Sequence, residues 1–227
     1  TLCYIKDLLP DGSCRMCMVE IENRGRTKME TACTAQVAEG LVVTTNSEKV
    51  RNARRNILDM LLSNHKTDCF SCPSNGDCKL QELCFEYGIE RTTYSGEQTE
   101  LPIDDSNKFF TYNPNLCILC HRCVNTCHKI VGRGAIDTME RGFDSVIGTP
   151  FHIDWADTNC ESCGNCVQAC PTGALTMKRR KNYRKYQIDK KVLTTCPHCA
   201  TGCQYYLVVR DNKVVDVEAA NGASNKG

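Results

Sequence analysis

The sequence has few of the residues that build one large apolar core. Of its 227 residues only 7% are aromatic, one is Trp, and 41% are hydrophobic, while the mean hydropathy is −0.39. No apolar run reaches the roughly 18 residues that a membrane-spanning helix needs. We therefore expect several small domains held partly by something other than apolar packing, and no membrane span.

An excess of either charge is also lacking, as is richness in glycine or proline. The formal net charge is +1, with 15 Gly and 7 Pro. Nothing here favours a nucleic-acid partner or a membrane surface. Collagen-like and disordered classes are excluded, because regular apolar segments lie between the cysteines.

Cysteine, by contrast, is abundant, with 19 residues. The number is odd, no signal peptide is visible, and the cysteines occur in C-x2-C groups, which suit a common metal centre better than distant bridges. These features favour metal or cluster binding in a reducing compartment over a disulfide scaffold, and we expect a cytoplasmic protein.

One cysteine motif occurs twice, as C-x2-C-x2-C-x3-C. This spacing is typical of [4Fe–4S] clusters, and in two-cluster ferredoxins the fourth Cys of each run binds the other cluster. The first predicted cluster is bound by Cys117, Cys120, Cys123 and Cys170. The second is bound by Cys127, Cys160, Cys163 and Cys166.

Three further sets follow from spacing. A [2Fe–2S] site, for which zinc is the alternative, is predicted at Cys3, Cys14, Cys17 and Cys33. A [4Fe–4S] site whose imidazole ligand should raise its potential is predicted at His65, Cys69, Cys72 and Cys78; the alternative for this His is a solvated or capping residue. A last [4Fe–4S] site with three ligands, either open or completed past Gly227, is predicted at Cys196, Cys199 and Cys203. The remaining cysteine, Cys84, is expected to pack in a core.

Local patterns predict the secondary structure around these sets. Alternation of apolar and polar residues indicates a strand at 18–22, and 41–45 is interpreted as another strand. Ser47 is positioned to cap a helix over 48–63, and a short helix should end at Gly88. A hairpin should turn at Asp211 and Asn212.

The sets divide the chain into consecutive parts. They are a [2Fe–2S] domain at 1–46, a His-Cys3 module at 47–90, a linker at 91–112, a two-[4Fe–4S] ferredoxin domain at 113–178, a basic linker at 179–191 and the start of another domain at 192–227. The basic stretch 178–191 is interpreted as a solvated linker, with docking of an acidic ferredoxin or phosphates as the alternative. Both ends of the sequence are expected to be cut, so that the first and last domains are incomplete.

Several segments carry a family resemblance. They are Thr1–Tyr4, Gly12–Cys17, Asp77–Gln81, Arg141–Asp144 and Cys170–Leu175. With the order of the cysteine sets, they resemble the N-terminal electron-transfer region of the complex I large iron–sulfur subunit, of [FeFe]-hydrogenases and of NAD-dependent formate dehydrogenases. Thr194–Cys203 looks like the opening of a molybdopterin oxidoreductase domain, and the formate dehydrogenase type is the one that matches all five sets.

The resemblance implies an α+β, multidomain iron–sulfur fold. It would comprise a β-grasp [2Fe–2S] ferredoxin, a helical His-Cys3 module, a two-cluster bacterial ferredoxin and the start of a molybdopterin domain. The implied cofactors are one [2Fe–2S] and four [4Fe–4S] clusters, with a molybdenum or tungsten bis-pterin past residue 227 and no catalytic residue within this sequence.

The implied function is the electron-transfer arm of an NAD(P)-dependent or electron-bifurcating formate dehydrogenase. Its implied partner is a flavin- and NAD-binding diaphorase subunit with its own clusters, or else ferredoxin or a hydrogenase module. The alternatives are a subunit of an [FeFe]-hydrogenase or complex I-like enzyme, and a stand-alone electron carrier.

Overall fold

The computed structural model describes residues 1–179, 183–220 and 225. Its first sheet is antiparallel, with β1 (Met18–Asn23) between β2 (Arg26–Thr31) and β3 (Val42–Thr44). Ile21 of β1 lies opposite Lys28 on β2 and Val43 on β3. Val19 and Ile21 are buried on one face of the sheet, as the alternation predicts.

Two helices follow the first sheet. Helix α1 spans Glu48–Ser63, and the Ser47 hydroxyl accepts a hydrogen bond from the Val50 N–H at 3.2 Å, so the predicted cap is confirmed. Helix α2 spans Lys79–Glu86 and buries its apolar face, including Cys84. The core packing predicted for Cys84 is therefore confirmed.

The central part of the chain carries the repeated cysteine motif on short elements. Two antiparallel pairs lie here: β4 (Phe110–Tyr112) with β7 (Leu175–Met177), and β5 (Asp137–Met139) with β6 (Val146–Gly148). The helices are α3 (Arg122–Asn125), a π-helical turn (Thr126–Val131) and α4 (Asn165–Ala169). Short 3-10 turns lie at Pro114–Leu116, Gly142–Asp144, Pro150–His152, Trp155–Asp157 and Lys185–Gln187.

The core beneath these elements is aromatic and aliphatic. Phe110 and Trp155 meet edge to face, with ring centroids 5.1 Å apart. Ile136 and Ile147 are 1% exposed and complete it.

The predicted linker 91–112 needs correction at its end. Its first part wraps the surface as expected, with Thr92 and Thr93 donating to the Asp59 carboxylate. Its last three residues form strand β4, because Phe110 (1% exposed) is an anchor of the aromatic core. A three-residue strand is too short to show a period, which is why the pattern missed it.

The last sheet is antiparallel, in the order β10 (Lys213–Ala219), β9 (Gln204–Arg210) and β8 (Lys190–Thr195). Its hairpin turns at Asp211 and Asn212, both with positive φ (49° and 58°). This is the backbone that a two-residue type I′ turn requires, so the predicted hairpin is confirmed.

The basic linker 179–191 also needs correction. Strand β8 already begins at Lys190. Two cations earlier in the stretch pair with carboxylates of this chain, Arg179 with Asp216 and Lys185 with Asp77. These pairs attach Arg179 and Lys185 to the surrounding elements, and docking of an acidic partner by the stretch stays a prediction. Residues 180–182 lie outside the described ranges.

Across the described ranges, every helix is too short or too polar to cross a membrane. The fold is a mixture of helices and small sheets, with two cores around the cysteine sets. One core joins the N-terminal loop to α1 and α2, and reaches Ile118 and Cys120 of the repeated motif. The other lies within the repeated motif itself.

Candidate iron–sulfur sites

The structure brings together the four N-terminal thiols. Sγ of Cys17 lies 3.3 Å from Sγ of Cys33. Burial, followed by the charges of Cys17, Cys3 and Cys14, raises the pKa of Cys33 to about 11. At Cys14 burial acts to raise the pKa, but hydrogen bonds from backbone N–H groups, including that of Leu2 at 3.4 Å, outweigh it and lower the pKa. The four thiols therefore lie near one another beside β1, with backbone donors aimed at sulfur, and their binding of one [2Fe–2S] cluster stays a prediction.

The His-Cys3 set lies between α1 and α2. Burial, and then the charges of Cys72 and Cys69, raise the pKa of Cys78 to about 11, so these three thiols are neighbours. His65 follows α1 and is 8% exposed; burial lowers its pKa to about 4, which keeps its imidazole neutral.

One ring nitrogen of His65 has an unusual environment. Nδ1 is buried and has no hydrogen-bond partner in the part of the chain that the structure describes. Such an orphaned atom is rare and calls for an explanation. A neutral imidazole with a free nitrogen is the form that binds a metal.

The repeated motif yields two groups of thiols, each completed by a cysteine of the other run. Burial, and then the charges of Cys117, Cys170 and Cys120, raise the pKa of Cys123. In the second group, burial and the charges of Cys160, Cys163 and Cys127 raise the pKa of Cys166 to about 12. Cys170 thus lies near the first run and Cys127 near the second; that each binds the cluster of the other run stays a prediction.

The same local backbone builds both groups. Leu119 and Ser162, at equivalent positions, have positive φ (51° and 55°). The Leu119 N–H donates to Cys117 Sγ and the Ser162 N–H to Cys160 Sγ, each at 3.4 Å. These left-handed residues turn successive thiols toward a common centre, which a regular helix or strand would not do.

The last cysteines lie where β8 and β9 meet. The Cys196 N–H donates to the Cys203 carbonyl at 2.7 Å, whereas Cys199 is exposed on the intervening loop. Side-chain and backbone hydrogen bonds from Thr201 lower the pKa of Cys199. That these three thiols share a centre stays a prediction.

The electrostatics of the buried groups fit cationic cofactors. Desolvation is the first cause of the raised thiol pKa values at Cys117, Cys123 and Cys166, and neighbouring thiolates add to it. Grouped thiolates in a low-dielectric site need a compensating cation, which the iron of a cluster supplies. Among the described residues, no three His, Cys, Asp or Glu side chains form a compact single-ion site.

The centres are placed next to one another by contacts that the cysteine spacing does not reveal. A Cβ on Gly173 would lie 2.6 Å from Cys72 Sγ, so the loop after Cys170 approaches the His-Cys3 site closely. The Lys79 N–H donates to the Pro171 carbonyl at 2.8 Å. The charge of Cys166 also acts on Cys123, so the two groups of the repeated motif are adjacent. The glycine that follows Cys170 by three residues was the one sequence signal for such an approach.

Family models match successive parts of the chain. Residues 1–48 match a 2Fe-2S iron-sulfur cluster binding domain, and 54–93 match the NADH-ubiquinone oxidoreductase-G iron-sulfur binding region. Residues 108–176 match the ferredoxin-like domain of NADH-quinone oxidoreductase subunit 3. Residues 159–206 match a 4Fe-4S dicluster domain, and 189–227 a molybdopterin oxidoreductase Fe4S4 domain.

Similar proteins extend over nearly all of the chain. The NADPH-Fe(3+) oxidoreductase subunit alpha of Geobacter sulfurreducens is 39% identical over 227 residues, which are 100% of this chain and 26% of that protein. A G-type subunit of the NADH-quinone oxidoreductase of Rhizobium meliloti is 38% identical over 96% of this chain and 25% of its own length. A crystal structure of an NAD+-reducing [NiFe]-hydrogenase superposes with a TM-score of 0.72 and 31% identity, over 78% of this chain and 74% of that one.

The chain is a G-type N-terminal iron–sulfur region of the NADH-quinone oxidoreductase family. This G-type region is related to the 78 kDa subunit of complex I and to NAD-reducing hydrogenase. It contains 2Fe-2S and 4Fe-4S cluster domains and the start of a molybdopterin oxidoreductase domain. It spans about a quarter of the length of the curated relatives that it matches.

Proposed function

We propose that this G-type region is the electron-transfer arm of a larger oxidoreductase. It would connect a partner that binds flavin and NAD(P) with a catalytic centre in a further part of the protein. The observation that carries the proposal is the contact series: the Cys117 group adjoins the N-terminal thiols, the His-Cys3 set and the Cys166 group.

The residues of the chain have definite tasks in this role. Iron–sulfur clusters, when bound, supply one-electron chemistry whose potential depends on ligands, hydrogen bonds to sulfur and solvent exposure. The predicted ligand sets would hold these groups, and the imidazole of His65 would make one set less anionic than an all-thiolate set. Backbone N–H groups such as those of Leu2 and Leu119 donate to sulfur, and the two cores exclude water from the deepest thiols.

The finer proposal is a formate dehydrogenase. It is supported by the coexistence of the tandem ferredoxin motif with a final segment that matches a molybdopterin oxidoreductase Fe4S4 domain. Oxidation of formate releases carbon dioxide, one proton and two electrons, and such an enzyme would use a molybdenum or tungsten pterin outside this sequence. The electrons would leave through a diaphorase-type partner, and the expected location is the cytoplasm.

A second candidate is an NADPH- or NADH-oxidising reductase that uses no formate. The observation in its favour is the identity of 38–39% with oxidoreductase subunits of that kind over almost the whole chain. The two candidates share the arm and differ in the electron donor.

The test uses the full-length protein with its partner subunits, purified without oxygen. Formate is expected to bleach the visible absorbance of the clusters in the absence of pyridine nucleotide. Bleaching by NADPH or NADH with none by formate would support the second candidate and overturn the first. Bleaching by hydrogen alone would indicate a hydrogenase.

Metal analysis tests the arm itself, independently of the donor. Five occupied sites predict about 18 iron atoms per chain with equal labile sulfide. Zinc in place of iron, in protein made without oxygen, would overturn the proposal for every donor.

A further inference from the structure

His121 lies between two of the predicted centres. Its backbone directly follows Cys120, a predicted ligand of the first ferredoxin-type set. Its ring reaches the N-terminal domain, where Nδ1 lies 3.4 Å from the hydroxyl of Ser13, the residue before Cys14. The other nitrogen, Nε2, lies 3.2 Å from the Thr138 hydroxyl. Predicted ligands of two centres, far apart in sequence, are thus linked through two side chains, those of Ser13 and His121, and the hydrogen bond between them.

The internal repeat provides a comparison for this position. His121 has φ 59° and ψ 8°, in the left-handed region that disfavours residues with a Cβ. The equivalent residue of the second run is Gly164, with φ 78° and ψ −2°. The repeated motif therefore has a left-handed backbone at both positions, and the second run has glycine there. The first run carries a histidine instead, and residues held in this backbone region cluster at functional sites.

The ring is held from both sides in one orientation. A neutral imidazole donates from one nitrogen and accepts at the other, and a hydroxyl can play either role, so Ser13 and Thr138 satisfy both nitrogens in either tautomer. The position is half-buried, next to the core in which Cys14 and Cys120 pack together. The side chain is therefore built into the contact between the domains.

We propose that His121 is a positioning residue for electron transfer, because it completes the contact between the [2Fe–2S] centre at Cys14 and the ferredoxin-type centre at Cys120. The inference rests on the proposed function of the chain as an electron-transfer arm. The step concerned moves one electron: one centre is oxidised, the other is reduced, no covalent bond changes, and the imidazole neither gains nor loses a proton.

Other contacts hold the same two domains together. Asp11 accepts a hydrogen bond from Asn125 and lies 3.8 Å from Lys129 Nζ. The shared core of Leu2 and Ile118 adds apolar contact. Removing the His121 ring should therefore leave the domains docked, so that the His121–Ser13 hydrogen bond can be tested separately from docking.

The experiment uses the full-length holoprotein and His121→Gly. Glycine suits the backbone of this position, as Gly164 shows, so the variant should fold and keep its iron. Sub-stoichiometric dithionite is mixed rapidly with the oxidised protein, and freeze-quench EPR follows the two centres as they equilibrate. We expect the rate of equilibration to fall severalfold, while iron content and the midpoint potentials of both centres stay unchanged. His121→Gln, whose amide both donates and accepts, should recover part of the rate.

Two further variants distinguish a role of the Ser13–His121 hydrogen bond in electron transfer from a purely structural role in holding the domains together. Ser13→Ala removes the same hydrogen bond from the other side, and combined with His121→Gly it should slow the rate no further than the slower single variant. Asp11→Ala loosens the same interface but leaves the His121–Ser13 hydrogen bond intact, and it should keep nearly the wild-type rate of equilibration. A wild-type rate in His121→Gly, or an equal loss in Asp11→Ala, would overturn the inference. Absence of the two EPR signals from wild-type protein would instead overturn the proposed function.

Discussion

Replacing Gly173 with alanine should disturb the His-Cys3 centre, although this glycine belongs to a different part of the chain. A Cβ at position 173 would lie 2.6 Å from Cys72 Sγ and 3.3 Å from a methyl carbon of Leu116. The first distance is well inside van der Waals contact, so one of the two atoms must move.

The size of the effect depends on whether Cys72 is bound. A free thiol could leave by rotating about χ1, and an off-rotamer side chain costs only roughly 0.5–1.5 kcal/mol. A thiolate fixed to iron cannot rotate, so the loop after Cys170 must shift instead. Overpacking of that kind costs roughly 1–3 kcal/mol. The substitution therefore distinguishes a ligand from a free cysteine.

Gly148→Ala is the matched control. Gly148 is also buried, its backbone is not in the left-handed region, and its added Cβ would meet only Met139 at an ordinary 3.5 Å. A compatible Gly→Ala change stabilises by about 0.4–1 kcal/mol through the unfolded chain. We therefore expect Gly173→Ala to lower the stability of the holoprotein and Gly148→Ala to raise it.

The assay combines the urea midpoint of the anaerobic holoprotein with EPR of the His-Cys3 centre. Gly173→Ala should lower the midpoint and change or remove that signal, while Gly148→Ala leaves the signal unchanged and does not lower the midpoint. If Gly173→Ala behaves like its control in the holoprotein, Cys72 is free to move, and its assignment as a ligand is wrong.

Three other changes give separate expectations. His65→Cys should lower the midpoint potential of its centre in a redox titration, because a thiolate adds negative charge; an unchanged potential would speak against ligation by His65. Cys78→Ser should lose about 4 iron atoms per chain. Cys84→Ser should keep all the iron and lose only about 1–3 kcal/mol of stability, because it buries a hydroxyl. Equal iron loss in both variants would contradict the assignment of Cys78 as a ligand and of Cys84 as a core residue. Asp216→Ala should lower the stability of the last sheet against urea by about 1–3 kcal/mol. The Asp216 carboxylate is 6% exposed and accepts a 2.6 Å hydrogen bond from the Tyr183 hydroxyl, which the substitution removes. An unaltered urea midpoint would show that this buried contact is energetically neutral.

Local elements with a clear pattern were predictable, and elements stabilised by distant contacts were not. Ser47 and the apolar period predicted α1 because a cap and a buried face are encoded within one segment. Strand β4 escaped prediction because it exists through pairing with β7 and through the packing of Phe110 on Trp155. The start of strand β8 was not predicted, because its first residues are basic and its pairing partner β9 lies later in the chain.

By itself the sequence predicted which cysteines group as ligand sets, because the spacing of cysteines in a tight loop is local chemistry. It also predicted that Cys127 and Cys170 exchange between the two runs of the repeated motif. Only the tertiary structure decided which centres touch. The approach of Gly173 to Cys72, and of His121 to Ser13, joins segments far apart in the chain through shared cores, and no spacing rule within either segment contains that information.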